Sequence, residues 1–331
     1  MEGRPLRSPP GQAQGLPLQV AQLCGCRSRS PRGSPVTAEA PGRPPADEGT
    51  ERAGSDRRTR VVPRNRPFRP WTEGAFCFPL PQEESMAWWE TFFDDRYLRI
   101  YGPLTSPEAT QQQVQGIISY LDLQPGESVL DLACGYGRIA IPLAQQGLQV
   151  TGLDLSEVLL GQARAAAREA GVQIRWHRGD MREIPWTEEF DAVISIFTSF
   201  GFFADDRENQ RVLEGARRAL KPGGRLLIDV MNRDWRVRQD IQRHWFEAGE
   251  LIVLAEPWLD PVAGRTGETW RWLEGGEWQS MEFDVRIYTA TELKAMIEAV
   301  GLRWVTVYGG WTGEPLIPLS RRIVAIARRN A

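Results

Sequence analysis

The chain has 331 residues, four cysteines, two histidines and a formal net charge of −3, a length that fits one large domain or two smaller ones. No apolar run approaches the roughly 20 residues that cross a bilayer, and four cysteines in so long a chain do not make a disulfide framework. His177 and His244 are too few for a zinc site built on histidine and cysteine, so we expect a cytoplasmic protein without a metal or a membrane partner.

The first 85 residues differ in composition from the rest of the chain. They contain 14 of the 24 prolines and carry a net charge of +4. Because their apolar clusters are short, we predict that this Pro/Arg-rich extension is disordered. A transit peptide and a basic interaction tail are two interpretations of it. A third is that translation naturally starts at Met86, where a well-patterned segment begins. Residues 1–85 would then be a translation of DNA that lies upstream of the true start.

Residues 86–331 carry a net charge of −7, which argues against broad nucleic-acid binding. From residue 105 onward, apolar strands alternate with helices that begin at capping residues. This pattern indicates the α/β class, with a doubly wound, mostly parallel sheet that binds ligands at the carboxyl ends of its strands. The predicted strands are 128–133, 148–154, 172–178, 190–197, 225–230, 303–308 and 322–327. The predicted helices are 107–121, 138–146, 156–170, 205–220 and 289–300.

Residues 233–289 interrupt the alternation after the fifth strand. Short extended stretches separated by turn signals predict an inserted antiparallel β-hairpin cap. Five of its tryptophans would form an aromatic lid, a homodimer contact or the core of a small sheet: Trp245, Trp258, Trp270, Trp272 and Trp278. Tyr97 and Tyr101, which precede the first strand, are preferred as lid residues because phenol groups suit a polar site.

The strongest motif is the loop that follows the first strand, from Asp131 to Gly137. Its glycines permit positive φ and a close approach of the backbone to a ligand, and the loop also fits the GxGxx(G/A) dinucleotide fingerprint. Asp154 ends the second strand, where a carboxylate accepts hydrogen bonds from ribose hydroxyls. Asp131 would repel a pyrophosphate and suits an ammonium or sulfonium. Asp180 ends the third strand, where its carboxylate can accept from an adenine amino group.

These motifs, together with the Leu220–Gly224 turn, resemble the class I S-adenosylmethionine-dependent methyltransferases in their order and spacing. The resemblance covers roughly residues 86–331 and implies a Rossmann-like sheet of seven strands with the last strand antiparallel. It also implies S-adenosyl-L-methionine as the cofactor. The methionine portion would be held by Asp131, Ala133, Gly135, Tyr136 and Gly137. The ribose and adenine would be held by Asp154, Leu155, Asp180 and Met181, with Phe197 flanking the cofactor. Ala133 stands where the family commonly has glycine.

The methyl acceptor is expected beyond the fourth strand, near residues 197–203. The (Asp/Asn)-Pro-Pro-(Tyr/Phe) run typical of enzymes that methylate bases or glutamine amides is absent there, which disfavours those substrates. Tyr101, His244 and Tyr288 are candidate general bases, although each also has a structural interpretation. Arg286 would bind an acceptor carboxylate or pair with an acidic neighbour.

We therefore predict a methyltransferase that acts on N or O of a small-molecule acceptor. A tRNA or protein methyltransferase is the first alternative, because a basic patch at Arg233, Arg236 and Arg238 could contact such a substrate. The second alternative is an NAD-type Rossmann oxidoreductase.

Overall fold

The structure is a computed structural model that describes residues 87–331. The predictions for residues 1–85 and for a start at Met86 lie outside the described residues. Within 87–331, no helix is long and apolar enough to cross a membrane.

Seven strands form the central sheet, in the order β10-β11-β5-β4-β1-β2-β3. The neighbours from β3 to β5 pair in parallel, whereas β11 is antiparallel to both β5 and β10. The predicted seven-stranded, mostly parallel sheet is thereby confirmed. The bounds are β1 Ser128–Leu132, β2 Gln149–Asp154, β3 Arg175–Arg178, β4 Phe190–Ser195, β5 Leu220–Met231, β10 Leu302–Tyr308 and β11 Arg322–Arg329.

Helices cover both faces of this sheet and mostly begin where the sequence predicts. Ser106 and Ser156 accept hydrogen bonds from the first-turn amides of their helices, and Thr289 forms the expected capping box with Glu292. The helices are α1 Trp88–Thr91, α2 Asp95–Tyr101, α3 Pro107–Leu121, α4 Ala140–Gln145, α5 Glu157–Glu169, α6 Asp206–Ala219, α7 Arg233–Arg236 and α8 Ala290–Ala299.

Adjacent residues of β1 pack on opposite faces of the main sheet, so each contributes to a different part of the hydrophobic core. Val129 packs with buried side chains of α3 and α4, whereas Leu130 packs with those of α6 and α8. Both are fully buried, so the sheet is apolar on both faces, which explains the unbroken apolar runs in its sequence.

Three elements begin two or more residues away from their predicted starts. The third strand begins at Arg175 rather than 172, because the Val172 amide still donates to Ala167 at the end of α5. Helix α4 begins at Ala140 because the residues before it belong to the loop after β1. The fifth strand already begins at Leu220, which is buried and pairs with Phe190 of β4.

The insertion folds as an antiparallel sheet of four strands in the order β6-β7-β8-β9, as predicted. Its bounds are β6 His244–Ala248, β7 Leu251–Asp260, β8 Arg265–Glu274 and β9 Glu277–Arg286. On its inner face, Trp270 and Trp272 are fully buried and pack with Phe92 and Ile100 of the N-terminal segment. The cap therefore has its own core, to which residues before the main sheet contribute.

Gly201 connects the loop after β4 to the end of the cap. Its φ is +113°, its carbonyl accepts from the Arg286 amide at 2.8 Å, and an added Cβ would lie 2.4 Å from the Arg286 carbonyl oxygen. This contact needs glycine, both for the backbone conformation and for the space.

We expect Gly201→Ala to lower the free energy of unfolding by about 2–4 kcal/mol, because it adds backbone strain and a steric clash. The matched control is Gly161→Ala in the exposed middle of α5, where a Cβ meets no atom within 4 Å. The control should raise stability by up to about 1 kcal/mol. Urea unfolding measures both, and equal midpoints for Gly201→Ala and the wild type would contradict the expectation.

Candidate functional site

A cavity lies at the carboxyl ends of the parallel strands and is bordered by the loop after β1. Ten of the eleven residues that the sequence assigns to the cofactor line it: Tyr97, Asp131, Ala133, Gly135, Tyr136, Asp154, Leu155, Asp180, Met181 and Phe197. We call it the first cavity. The end of the sheet therefore brings together side chains that lie up to 100 residues apart in sequence.

Gly137 is the predicted cofactor residue that does not line the first cavity. Its φ is +82°, and a Cβ there would lie 3.0 Å from a ring atom of Trp176. Glycine at this position thus serves the packing of the loop against β3. Ala133 has a φ of +54°, the left-handed conformation that glycine adopts with least strain. The structure accommodates alanine there at that conformational cost.

Asp154 holds the turn of the loop. One carboxylate oxygen accepts from the Gly135 amide at 2.7 Å and the other accepts from the Ser156 amide at 2.8 Å. Burial raises the pKa of Asp154, and these amides oppose the rise. Because each carboxylate oxygen has a second lone pair, the side chain can still accept from hydroxyls in the cavity.

Asp131 carries the clearest sign of a missing partner. Its side chain is 1% exposed and lines the first cavity, but Oδ1 accepts no hydrogen bond within the described chain. Burial raises the pKa of Asp131 to about 8, while Arg138 nearby lowers it and Asp154 raises it further. A buried acceptor is costly when unpaired, so this oxygen fits a ligand that donates, such as an ammonium.

Asp180 lies in the first cavity but is held by a residue that the sequence analysis did not identify. Arg182 donates to both of its oxygens, and the guanidinium contacts the rings of Trp89 and Phe203, 4.9 and 4.5 Å from their centroids. The pair fixes the carboxylate at the cavity wall. It also ties the wall to α1, because Trp89 belongs to that helix.

Phe197 and Thr198 follow β4 in two consecutive left-handed conformations, with φ of +61° and +65°. Such strain persists only where the surroundings enforce it. The Asp229 side chain accepts from the Phe197 amide at 2.8 Å, and the Asp229 carbonyl accepts from the Thr198 amide at 2.9 Å. Asp229 is fully buried and pairs with Arg322. This arrangement directs the Phe197 ring into the cavity.

The N-terminal helices α1 and α2 cover the first cavity. Trp89, Phe93 and Tyr97 line it, and the Phe93 carbonyl accepts from the Ser156 hydroxyl at 2.5 Å. The Thr105 hydroxyl, just beyond these helices, is 3.1 Å from the Tyr136 hydroxyl. Tyr97 belongs to α2 and lines the first cavity, which is where a lid residue would lie.

A second cavity adjoins the first and shares four aromatic wall residues with it: Phe93, Tyr97, Phe197 and Phe202. Most of its remaining walls come from the N-terminal segment with α1 and α2, from α7, from the cap and from the segment between α7 and β6. Thr198 after β4, Met231 of β5 and Arg322 of β11 complete them. Tyr101 and His244, two of the candidate bases, line this second cavity. The Tyr101 ring stacks on Trp270 at 5.7 Å.

Tyr288 and Arg286 line neither cavity. The buried Tyr288 hydroxyl donates to Asp206 at 2.9 Å, and burial together with the Asp206 carboxylate raises the Tyr288 pKa. Such a phenol is a poor base at neutral pH. Arg286 forms ion pairs with Asp206 and Glu292, which supports the structural interpretation of Arg286.

The five tryptophans named for a lid line neither cavity. Trp270 and Trp272 form the core of the cap, whereas Trp245 and Trp278 are exposed. Of the three interpretations of these tryptophans, the core of a small sheet therefore applies to Trp270 and Trp272. Trp88 and Trp235 line the second cavity instead.

The sequence assigned no site role to the four charged residues of the second cavity: Arg236, Asp240, Glu268 and Arg322. Arg236 was named only as part of a basic patch. A signal for Glu268 exists, because Thr266, Glu268, Trp270 and Trp272 alternate on the inner face of β8. A carboxylate within such an apolar series is unusual.

Comparison with known proteins agrees with these features. Residues 129–224 match the family described as Methyltransferase domain. A Geobacillus protein named as a methyltransferase is 33% identical over 123 residues, which are 37% of this chain and 50% of that protein. The cypemycin N-terminal methyltransferase of a Streptomyces species is 27% identical over 211 residues, 62% of this chain and 84% of the relative. The chain spans half or less of the length of several curated relatives.

Two solved structures share the fold. The CcbJ methyltransferase from Streptomyces caelestis has a TM-score of 0.63 and 22% identity, with coverage of 73% of this chain and 99% of that one. The S-adenosylmethionine-bound CalS10, an amino pentose methyltransferase from Micromonospora echinaspora, has a TM-score of 0.51 and 22% identity, with coverage of 67% and 91%. Together with the family match, they confirm that the chain resembles the class I S-adenosylmethionine-dependent methyltransferases and has their fold.

The raised pKa of Asp131 predicts a pH dependence of stability. The folded chain keeps the Asp131 proton up to about pH 8, whereas the unfolded chain loses it near 3.8, so this group lowers the free energy of unfolding as pH rises between these values. Asp131→Asn removes the effect. The stability of the variant relative to wild type should therefore increase from pH 5 to 8, by at most about 1.4 kcal/mol per pH unit.

Urea unfolding at four pH values from 5 to 8 measures this difference. The matched control is Asp191→Asn. Partial burial raises the Asp191 pKa, but hydrogen bonds from Lys221 and Ser128 outweigh it and hold the pKa at about 2. Asp191 is charged throughout this range, so its variant should lose a constant amount of stability. A constant difference for Asp131→Asn as well would show that Asp131 does not titrate there.

Proposed function

We propose that this chain is an S-adenosylmethionine-dependent methyltransferase that acts on N or O of a small-molecule acceptor in the second cavity. The observation that carries the proposal is the buried Asp131 Oδ1, which faces the first cavity without a donor. An ammonium group would donate to this oxygen and lower the pKa of Asp131, whereas the pyrophosphate of a dinucleotide supplies no donor and would oppose ionisation of the carboxyl group. This contrast favours a methionine-derived cofactor over NAD.

The other residues of the first cavity fit the remaining parts of such a cofactor. Asp154 has lone pairs for the two ribose hydroxyls. The apolar side chains of Leu155 and Met181 suit a purine ring, with Asp180 as an acceptor for its amino group. Arg182 neutralises Asp180 in part, so a hydrogen bond from that amino group adds to an existing pair.

When bound, S-adenosylmethionine supplies a sulfonium methyl group that a nucleophile can take by in-line displacement. The protein's own contribution is alignment and exclusion of water. Phe197 lines both cavities and is held by the amide contacts of Asp229, so it fixes one wall where the two ligands would meet. Tyr101 and His244 are the candidates for a base, needed only for an acceptor that must lose a proton.

The enclosure of the second cavity supports a small acceptor. Helices α1 and α2 cover one side, and the cap closes another. A tRNA or a protein would have to enter through the same walls with an extended strand or a terminus. The cypemycin relative is named for an N-terminal amine, which keeps a peptide terminus as an alternative acceptor for this chain.

Calorimetric titration of the full chain with S-adenosylhomocysteine and, separately, with NADH tests the proposal. We expect S-adenosylhomocysteine to bind and NADH not to bind. Asp154→Ala should weaken S-adenosylhomocysteine binding at least tenfold, because two hydrogen bonds to a charged acceptor contribute on the order of 1.5–3 kcal/mol each.

The control variant is Glu247→Gln, an exposed carboxylate on the opposite face of the cap, which should bind as the wild type does. Preference for NADH would overturn the proposal in favour of an oxidoreductase. Absence of binding for both ligands would overturn it as well.

A homodimer through the insertion remains a prediction. The outer face of the cap exposes five large apolar side chains that such a contact would cover: Trp245, Ile252, Leu254, Leu273 and Trp278. Sedimentation equilibrium should give twice the chain mass, and Trp278→Glu should give the monomer mass. The cytoplasmic location likewise remains a prediction.

A further inference from the structure

The second cavity contains two inner charges of opposite sign that form no ion pair with any residue of the described chain. Four of its wall residues carry a formal charge: Arg236, Asp240, Glu268 and Arg322. Arg322 is paired with the buried Asp229. Asp240 is exposed at the rim and accepts from Gln242. Arg236 and Glu268 remain, one positive and one negative.

Arg236 is an unusually buried guanidinium, with 8% exposure. Its Nε donates to the Thr266 hydroxyl oxygen at 3.1 Å, and Thr266 in turn donates to the Trp258 carbonyl at 2.6 Å. Within 87–331, its two terminal nitrogens have no hydrogen-bond acceptor and no acidic partner at ion-pair distance. Burial lowers the pKa of Arg236, and the nearby Glu268 carboxylate opposes this shift.

Glu268 is the negatively charged counterpart of Arg236 in this cavity. Its Oε2 accepts from the Trp270 indole at 2.8 Å, whereas Oε1 has no donor in the described part of the chain. Burial raises the pKa of Glu268, while His244 and Arg236 nearby lower it. The carboxylate is thus close enough to Arg236 to be influenced by it, but the two side chains form no ion pair.

The fold explains why both charges meet one cavity. Thr266 and Glu268 are two residues apart on β8 and lie on the same face of the strand. Because Arg236 is bound to Thr266, its guanidinium lies beside the Glu268 side chain. The two groups come from different elements, α7 and β8, which are fixed against each other by this contact.

A ligand with only one charge would compensate one of these groups and leave the other unpaired. A buried charge without a hydrogen-bonded partner is destabilising, whereas charge-assisted hydrogen bonds to both groups stabilise a bridging ligand. The surrounding rings of Trp88, Phe92 and Phe283 suit an apolar body and the neighbourhood of a cation.

We propose that the second cavity binds a methyl acceptor that carries both a carboxylate and an amine, with the carboxylate on Arg236 and the amine facing Glu268. The inference rests on the proposed function and names its substrate class. Arg236 and Glu268 are then specificity-determining residues, and their opposite charges select an amino acid or a similar zwitterion over amines and acids that carry a single charge.

Four matched probes test the inference on the full chain saturated with S-adenosylhomocysteine. L-phenylalanine carries both charges, L-phenylalaninamide and phenethylamine carry only the amine, and hydrocinnamate carries only the acid. Calorimetry should give a dissociation constant for L-phenylalanine at least tenfold below that of each other probe. This comparison uses the wild-type chain, so it does not depend on the folding of any variant.

Variants assign the two charges. Arg236→Met should weaken L-phenylalanine binding to the level of L-phenylalaninamide, and Arg236→Lys should restore part of it. Glu268→Gln should weaken it to the level of hydrocinnamate. Arg238→Met and Glu247→Gln, on the exposed surface, are the controls and should bind L-phenylalanine as the wild type does.

The outcomes separate this inference from the proposed function. If S-adenosylhomocysteine does not bind, the proposed function fails. If it binds but the four probes bind equally or not at all, the zwitterion assignment is overturned while the cofactor assignment stands. Tight binding of phenethylamine alone would also overturn it, since Arg236 would then have no part in recognition.

Discussion

The buried ion pair between Asp229 and Arg322 is the interaction on which both cavities depend. It joins β5 to the antiparallel strand β11, and Asp229 also accepts from the amides of the strained turn after β4. Without these contacts, nothing would offset the backbone strain of the left-handed conformation at Phe197. The pair therefore links β5 and β11 to Phe197, one of the four aromatic residues that line both cavities.

Two sets of elements form the two cavities. The parallel strands and their loops supply the carboxylates Asp131, Asp154 and Asp180, whose positions follow from the register of β1, β2 and β3. The N-terminal helices, α7 and the cap supply most of the second cavity. Hydrogen-bonded strands of the main sheet thus position the groups that need precise geometry, and peripheral elements enclose the space beside them.

The sequence alone predicted the first set well and the second set poorly, for physical reasons. A carboxylate at the end of an apolar strand reveals its position, since parallel strands end at one edge; Asp131, Asp154 and Asp180 were all found in this way. Arg182, Arg236 and Glu268 depend on contacts between segments far apart in the chain, which periodicity does not encode. Tyr288 and Arg286 were named for their chemistry, but their burial and ion pairs give them structural roles. Gly137 was assigned to a ligand, whereas the space it leaves is filled by Trp176.

The separate origin of the second cavity has a consequence for evolution. Most of its walls belong to an insertion and to a segment that precedes the first strand, and neither contributes a strand to the main sheet. Substitutions there change the shape and charge of the second cavity while the loop after β1 and its carboxylates keep their positions. Ligand selectivity in the second cavity can therefore evolve at the periphery of the fold, largely independently of the sheet.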